Sequence, residues 1–145
     1  HSLGGAASIL AAGRLKTVRW IATIGAPSSV QHITHLFADR VDDIVADGCA
    51  TVSIAGRSFD LERGFLDDLA KHDVLDAVTL LDRPYLVVHA KDDDVVGFDQ
   101  GEALFAAASE PKQFLALETG GHLLAPRSAA DEVLAGILIW LDTLT

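Results

Sequence analysis

The stretch YLVVHAKDDDVVG, residues 85–97, decides how this chain folds. Its first six residues form a nearly continuous, β-rich apolar run directly after Pro84. A strand with one wet face alternates apolar and polar residues, whereas an unbroken run suits a strand covered on both faces, as in a parallel sheet. The run ends near His89, and Asp92, Asp93 and Asp94 follow at once.

Working outward, VRWIATIGAP (residues 18–27) reads as a second strand, ended by Gly25 and Pro27. QFLALE (113–118) reads as a third. Between the first and third lies FDQGEALFAAAS, with helical spacing that puts Phe98, Ala103, Leu104 and Ala107 on one face. SAADEVLAGILIWLDTL (128–144) predicts a long amphipathic last helix. Ser128 is its expected N-cap, and Asp131 and Glu132 lie early, where the helix dipole favours them. Residues 3–12 are alanine-rich and helix-compatible, with Gly13 as a stop. Strand, helix, strand, helix, strand, helix predicts an α/β class with a parallel sheet of about three strands and flanking helices.

Residues 27–82 interrupt that alternation and are too long for an ordinary connection. They hold an amphipathic piece (30–37), a hairpin TVSIAGRSFDL turning at Ala55-Gly56-Arg57, and two helical pieces near 65–69 and 74–81. In the hairpin, Val52, Ile54, Phe59 and Leu61 alternate with polar residues, which predicts one buried face. The segment is expected to be a lid inserted over the carboxyl edge of the sheet, where open α/β folds bind ligands.

At 145 residues, 50% hydrophobic and 22% charged, the chain has the composition of one globular domain with a real core. Its net charge of −10 disfavours nucleic-acid or membrane-surface partners, and no Lys/Arg cluster offsets it. No run approaches the roughly 20 apolar residues of a membrane span. The one cysteine, Cys49, excludes an intrachain disulfide and a cysteine-based zinc site. It reads as a small buried residue in a protein of the cytoplasm. Trp20 and Trp140 both read as core.

Three motifs carry chemistry. A serine hydroxyl needs a base to take its proton, an acid to orient that base, and donors for the oxyanion that forms. HSLGGAA (1–7) offers Ser2 at a helix start with glycines close behind. YLVVHAKDDDVVG offers the acid after one strand. FLALETGGHLLAP offers His122 on a Gly120-Gly121 turn after the next strand. The order of serine, acid and histidine is that of hydrolases built on a strand-to-helix nucleophile elbow.

These stretches resemble the nucleophile, acid and histidine motifs of the α/β-hydrolase superfamily. TIGAPSSVQHITHLF, IAGRSFDL, FLDDL and EPKQFLALETGGHLL resemble, more closely, the hydrolase domain of bacterial proteins in which an α/β-hydrolase is often fused to an OsmC-like domain. The resemblance spans essentially the whole chain. It implies Ser2 as nucleophile, His122 as general base, and the backbone N–H of Leu3 as an oxyanion donor. It implies Asp93 as the orienting acid, four residues after His89 and three before Val96, with Asp92 and Asp94 as alternatives. It further implies the C-terminal part of an α/β-hydrolase fold, with the elbow's first glycine, its strand and a second oxyanion donor upstream of His1.

His32 and His35 stand three apart in the lid segment, and no carboxylate completes a metal set. They are expected, with Phe37, to touch substrate, and neither a metal nor a cofactor is expected. The predicted function is a serine hydrolase that cleaves an ester, thioester or small amide of modest hydrophobicity. The alternatives are a non-catalytic binding module on the same fold, or an inactive fragment of a hydrolase.

Overall fold

The computed structural model describes residues 1–54 and 56–145, with the backbone alone for His32. In chain order the elements are α1 (Ser2–Ala12), β1 (Ile21–Ile24), a 3₁₀ stretch (Gln31–Arg40), α2 (Val41–Asp47), β2 (Cys49–Ile54), β3 (Arg57–Glu62), α3 (Arg63–Leu69), α4 (Val74–Thr79), β4 (Tyr85–Ala90), α5 (Phe98–Ala107), β5 (Lys112–Leu117) and α6 (Arg127–Asp142).

β4 is the central strand, and all six of its residues are buried. It pairs in parallel with β1, Ile21 opposite Tyr85, and with β5, Ala90 opposite Leu117. The apolar run was legible as a doubly covered strand because both faces have apolar partners. Tyr85 and Val87 share one buried cluster with Ala6, Ile9 and Ala12 of α1, Val78 of α4 and Leu104 of α5. Leu86, Val88 and Ala90 point the other way and cluster with Leu117, Val133 and Trp140. Helices therefore cover the sheet on both sides, as the alternating sequence predicts.

The segment 27–82 does not behave as one layer. β2 and β3 form a separate antiparallel hairpin, Val52 opposite Phe59. Phe37, Ile44, Ala50 and Val52 make a small core of their own. Val30, Leu69, Val74 and Val78 instead join the main core. Ala55, in the expected hairpin turn, lies outside the described residues. The hairpin's apolar face is only partly closed, because Phe59 stays 45% exposed.

Three expectations need correction. Cys49 is exposed; β2 alternates, and Cys49 shares its outward face with Thr51 and Ser53. Trp20 precedes β1 and is 43% exposed, although its ring meets the buried Trp140 edge-on at 5.8 Å. α6 starts at Arg127 with Pro126 as N-cap, not Ser128. The Pro126 carbonyl accepts from the N–H groups of Ala129 and Ala130, and a proline before a helix gives up no N–H that the helix could use.

Candidate active site

The motifs converge at the carboxyl end of the sheet. Ser2 opens α1 with a φ of +53°. Such a backbone disfavours a side chain and is tolerated where the surroundings impose it. The turn is held close: a Cβ on Gly5 would lie 2.7 Å from Cβ of Ala26, while Gly4 faces open space. The glycine that lets α1 cross the end of β1 is therefore Gly5.

Ser2 Oγ lies 3.0 Å from Nε2 of His122, and Nδ1 of His122 lies 2.9 Å from Oδ2 of Asp93. Asp93 and His122 are each 8% exposed. Burial opposes the charge on Asp93, but the hydrogen bond from His122, the nearby His89 ring and hydrogen bonds from the N–H groups of Val96 and Val95 outweigh it and hold the carboxyl well below the usual carboxylate range. An ionised carboxylate only accepts, so the His122 proton sits on Nδ1. In the neutral imidazole that tautomer leaves Nε2 as the acceptor of the Ser2 hydroxyl hydrogen bond. Leu3 follows in the first turn of α1, where backbone N–H groups have no intrahelical acceptor.

The other aspartates have different places. Asp92 accepts from the N–H groups of Gly120 and Gly121, and Asp94 is exposed. Only Asp93 of the three bonds His122. His89 and His1 are additions that the sequence reading did not make. His89 is fully buried, donates from Nε2 to the Val96 carbonyl at 2.8 Å, and lies 3.5 Å from Asp93 Oδ2. Its signal was a polar residue inside an apolar run, which needs a partner when buried. His1 donates from Nε2 to the His122 carbonyl at 2.7 Å, and its ring lies 4.8 Å from the His122 ring.

A cavity of about 320 Å³ opens beside Ser2, Leu3 and His122. Ile33, Leu36 and Phe37 line it from the 3₁₀ stretch, Ile54, Phe59 and Leu61 from the hairpin, and Phe65, Val95 and Val96 complete it. Phe37, which the sequence reading expects to touch substrate, is among these lining residues. His35 is exposed and does not line the cavity, and the side chain of His32 lies outside the described residues. A groove of about 350 Å³ along α1 and β1, beside Leu15 and Trp20, shares no residue with the cavity.

The comparison with solved structures identifies this architecture. The esterase domain of a Rhodothermus marinus protein is 36% identical and superposes with a TM-score of 0.76 over 94% of this chain. This is an α/β-hydrolase fold. Mouse alpha/beta hydrolase domain-containing protein 10 (18% identical, TM-score 0.75, 99% of this chain) and Est1E from Butyrivibrio proteoclasticus (14%, 0.70, 100%) share the fold. The α/β-hydrolase chain described here spans 57% of the Rhodothermus domain and 60% of each of the other two. No family model matches it, and no curated protein sequence does. Among its described residues no helix is long and apolar enough to cross a membrane.

Proposed function

We propose that this chain carries the catalytic machinery of a serine hydrolase, with Ser2 as nucleophile, His122 as general base and Asp93 as the acid that orients it. The observation that carries the reading is the unbroken hydrogen-bond path Ser2–His122–Asp93 at the mouth of an apolar cavity. In the reaction, Ser2 Oγ attacks the substrate carbonyl carbon as His122 Nε2 takes its proton. The carbonyl oxygen becomes an oxyanion beside the Leu3 N–H. His122 then returns the proton to the leaving group, and the acyl group stays on Ser2. Water, deprotonated by His122, attacks the acyl carbon, and His122 passes that proton to Ser2 Oγ as the ester bond breaks and the acid leaves.

The substrate class is an ester, thioester or small amide with an uncharged apolar part. Among the described residues no Lys, Arg, Asp or Glu lines the cavity, so a charged group there would lose water without gaining a partner. Likeness to the esterase domain supports an ester first. A cytoplasmic location fits a chain with a single cysteine.

A fluorophosphonate probe on the full-length protein tests the reading. Covalent labelling of Ser2, lost in Ser2→Ala, is the expected result. A wild-type protein that stays unlabelled while a control serine hydrolase reacts would sink it.

A further inference from the structure

β4 and β5 run side by side until Ala90 and Leu117, and the Lys91 N–H still reaches the Leu117 carbonyl at 2.9 Å. Beyond that point the two chains part, one toward Asp93 and the other toward His122. Sheet pairing no longer sets the distance between acid and base there.

The exposed Lys91–Glu118 ion pair joins the two segments at their start, and past it Asp92 is the side chain that reaches the backbone leading to His122. Asp92 Oδ1 accepts the Gly121 N–H at 2.8 Å and Oδ2 accepts the Gly120 N–H at 3.2 Å. Gly120 is buried, between Leu124, Ala129 and Ala90, so its N–H cannot turn to bulk water. Gly121 follows with a φ of +58°, the bend that aims His122 back at Asp93. The bonds from Gly121 and Gly120 also hold the Asp92 carboxyl below its ordinary range, so it is ionised and accepts with both oxygens.

We infer that Asp92 is a positioning residue, a carboxylate clamp that locks the Gly120-Gly121 bend and thereby sets His122 against Asp93 and Ser2. The inference rests on the hydrolase reading for its catalytic consequence, but its geometry stands apart from it. Adjacent aspartates then have separate tasks: Asp93 holds the imidazole ring, and Asp92 holds the backbone that carries the ring. A bend released at Gly120-Gly121 moves His122 Nε2 relative to Ser2 Oγ while leaving the apolar walls from the 3₁₀ stretch, the hairpin and Phe65 alone. Loss of the clamp therefore acts on the rate of acyl transfer and not on substrate binding.

Two readings on the full-length protein test this. The first is hydrolysis of p-nitrophenyl butyrate. Asp92→Ala lowers kcat by about tenfold or more, as misplaced reacting groups do, and leaves KM within about twofold. Asp92→Asn keeps one acceptor oxygen and falls between wild type and Asp92→Ala. The second is the proton magnetic resonance of the His122 Nδ1–H, far downfield because it bonds a carboxylate, read at low temperature without substrate. It broadens and exchanges faster with solvent in Asp92→Ala, and less so in Asp92→Asn.

Wild-type kcat and a wild-type resonance in Asp92→Ala overturn the proposal, as does a loss that falls on KM alone. If Asp92→Ala does not fold, Asp92→Asn decides, and unchanged values of both readings there overturn it. A wild-type protein that shows the resonance yet neither hydrolyses the ester nor takes the fluorophosphonate defeats the hydrolase reading. The clamp is then judged on the resonance, which still must weaken in Asp92→Ala.

Discussion

Gly25 and Asp93 are packed so closely that a Cβ on Gly25 would sit 3.1 Å from Asp93 Oδ2 and 3.5 Å from Nδ1 of His122. Gly25 ends β1, its N–H bonding the Val88 carbonyl, and turns with a φ of +54°. The end of the edge strand thus forms one wall of the acid–base pair. Gly25→Ala brings two costs together. The left-handed backbone disfavours any Cβ by about 1–2 kcal/mol, and the new methyl presses on the carboxylate. Urea denaturation is expected to show a loss of at least the backbone cost, and fluorophosphonate labelling of Ser2 is expected to slow in the same variant. Unchanged stability and labelling would show that the turn relaxes freely.

Ser2 carries strain of the same kind, with a φ of +53°. Removing its side chain altogether relieves that strain, while trimming it to a methyl does not. Ser2→Gly is therefore expected to be more stable than Ser2→Ala by about 0.5–1 kcal/mol, the left-handed penalty less the entropy glycine loses on folding. Neither variant takes the fluorophosphonate. Urea midpoints for the pair check it, and a more stable Ser2→Ala would show that Ser2 is not strained.

The parts of the fold that were legible are those where one physical demand acts alone. Tyr85–Ala90 is apolar throughout because both faces of β4 are covered, so its reading needed no neighbour. Ser2, the acid run and His122 were legible as motifs because their order along the chain reflects the order of strand ends. The choice of Asp93 over Asp92 and Asp94 rests on the family's spacing to His89 and Val96, and the three identical neighbours offer no independent physical reason for it. That reason is which carboxylate faces Nδ1 and which faces two backbone N–H groups. Cys49 and Trp20 were misread for a related reason: an apolar residue at the first position of a strand, or just before it, takes its burial from the sheet's alternation and edge. The division of residues 27–82 was hidden too, since the apolar positions of α4 look alike whether they cover the sheet or the hairpin.

Asp93 gives the pH dependence on the acid side. Its carboxyl is held below the ordinary value near 3.8, with the hydrogen bond from His122, the nearby His89 ring and hydrogen bonds from the Val96 and Val95 N–H groups overcoming burial. A depressed folded value means that the stabilisation is fully present above the unfolded value and is lost as pH falls through the folded one. The stability of the wild-type protein is therefore expected to be insensitive to Asp93 above about pH 5 and to decline below about pH 4. Asp93→Asn lowers stability at neutral pH and removes part of that acid slope. Urea titrations at a series of pH values measure both, and parallel curves for the two proteins would show that Asp93 is not held as described.

On the alkaline side the relevant group is Tyr85, the only tyrosine in the chain. It opens β4 and is fully buried, and its hydroxyl shares a 2.8 Å hydrogen bond with Oγ1 of Thr23, itself 1% exposed. Burial raises the phenol well above the ordinary tyrosine value near 10, against a smaller lowering by the Thr23 hydrogen bond. A raised value favours the neutral phenol, so this stabilisation is present below the unfolded value and is lost as pH rises through the folded one. Wild-type unfolding free energy is expected to fall above about pH 10, at up to about 1.4 kcal/mol per pH unit for this one proton. Tyr85→Phe lacks that slope, and at neutral pH it costs about 1–3 kcal/mol because the Thr23 hydroxyl is left buried without its partner. With a single tyrosine, ultraviolet difference absorbance follows Tyr85 alone. Phenolate absorbance that grows in near pH 10 while the protein is still folded would show that the ring is open to solvent. Absorbance that appears only together with unfolding is the expected result.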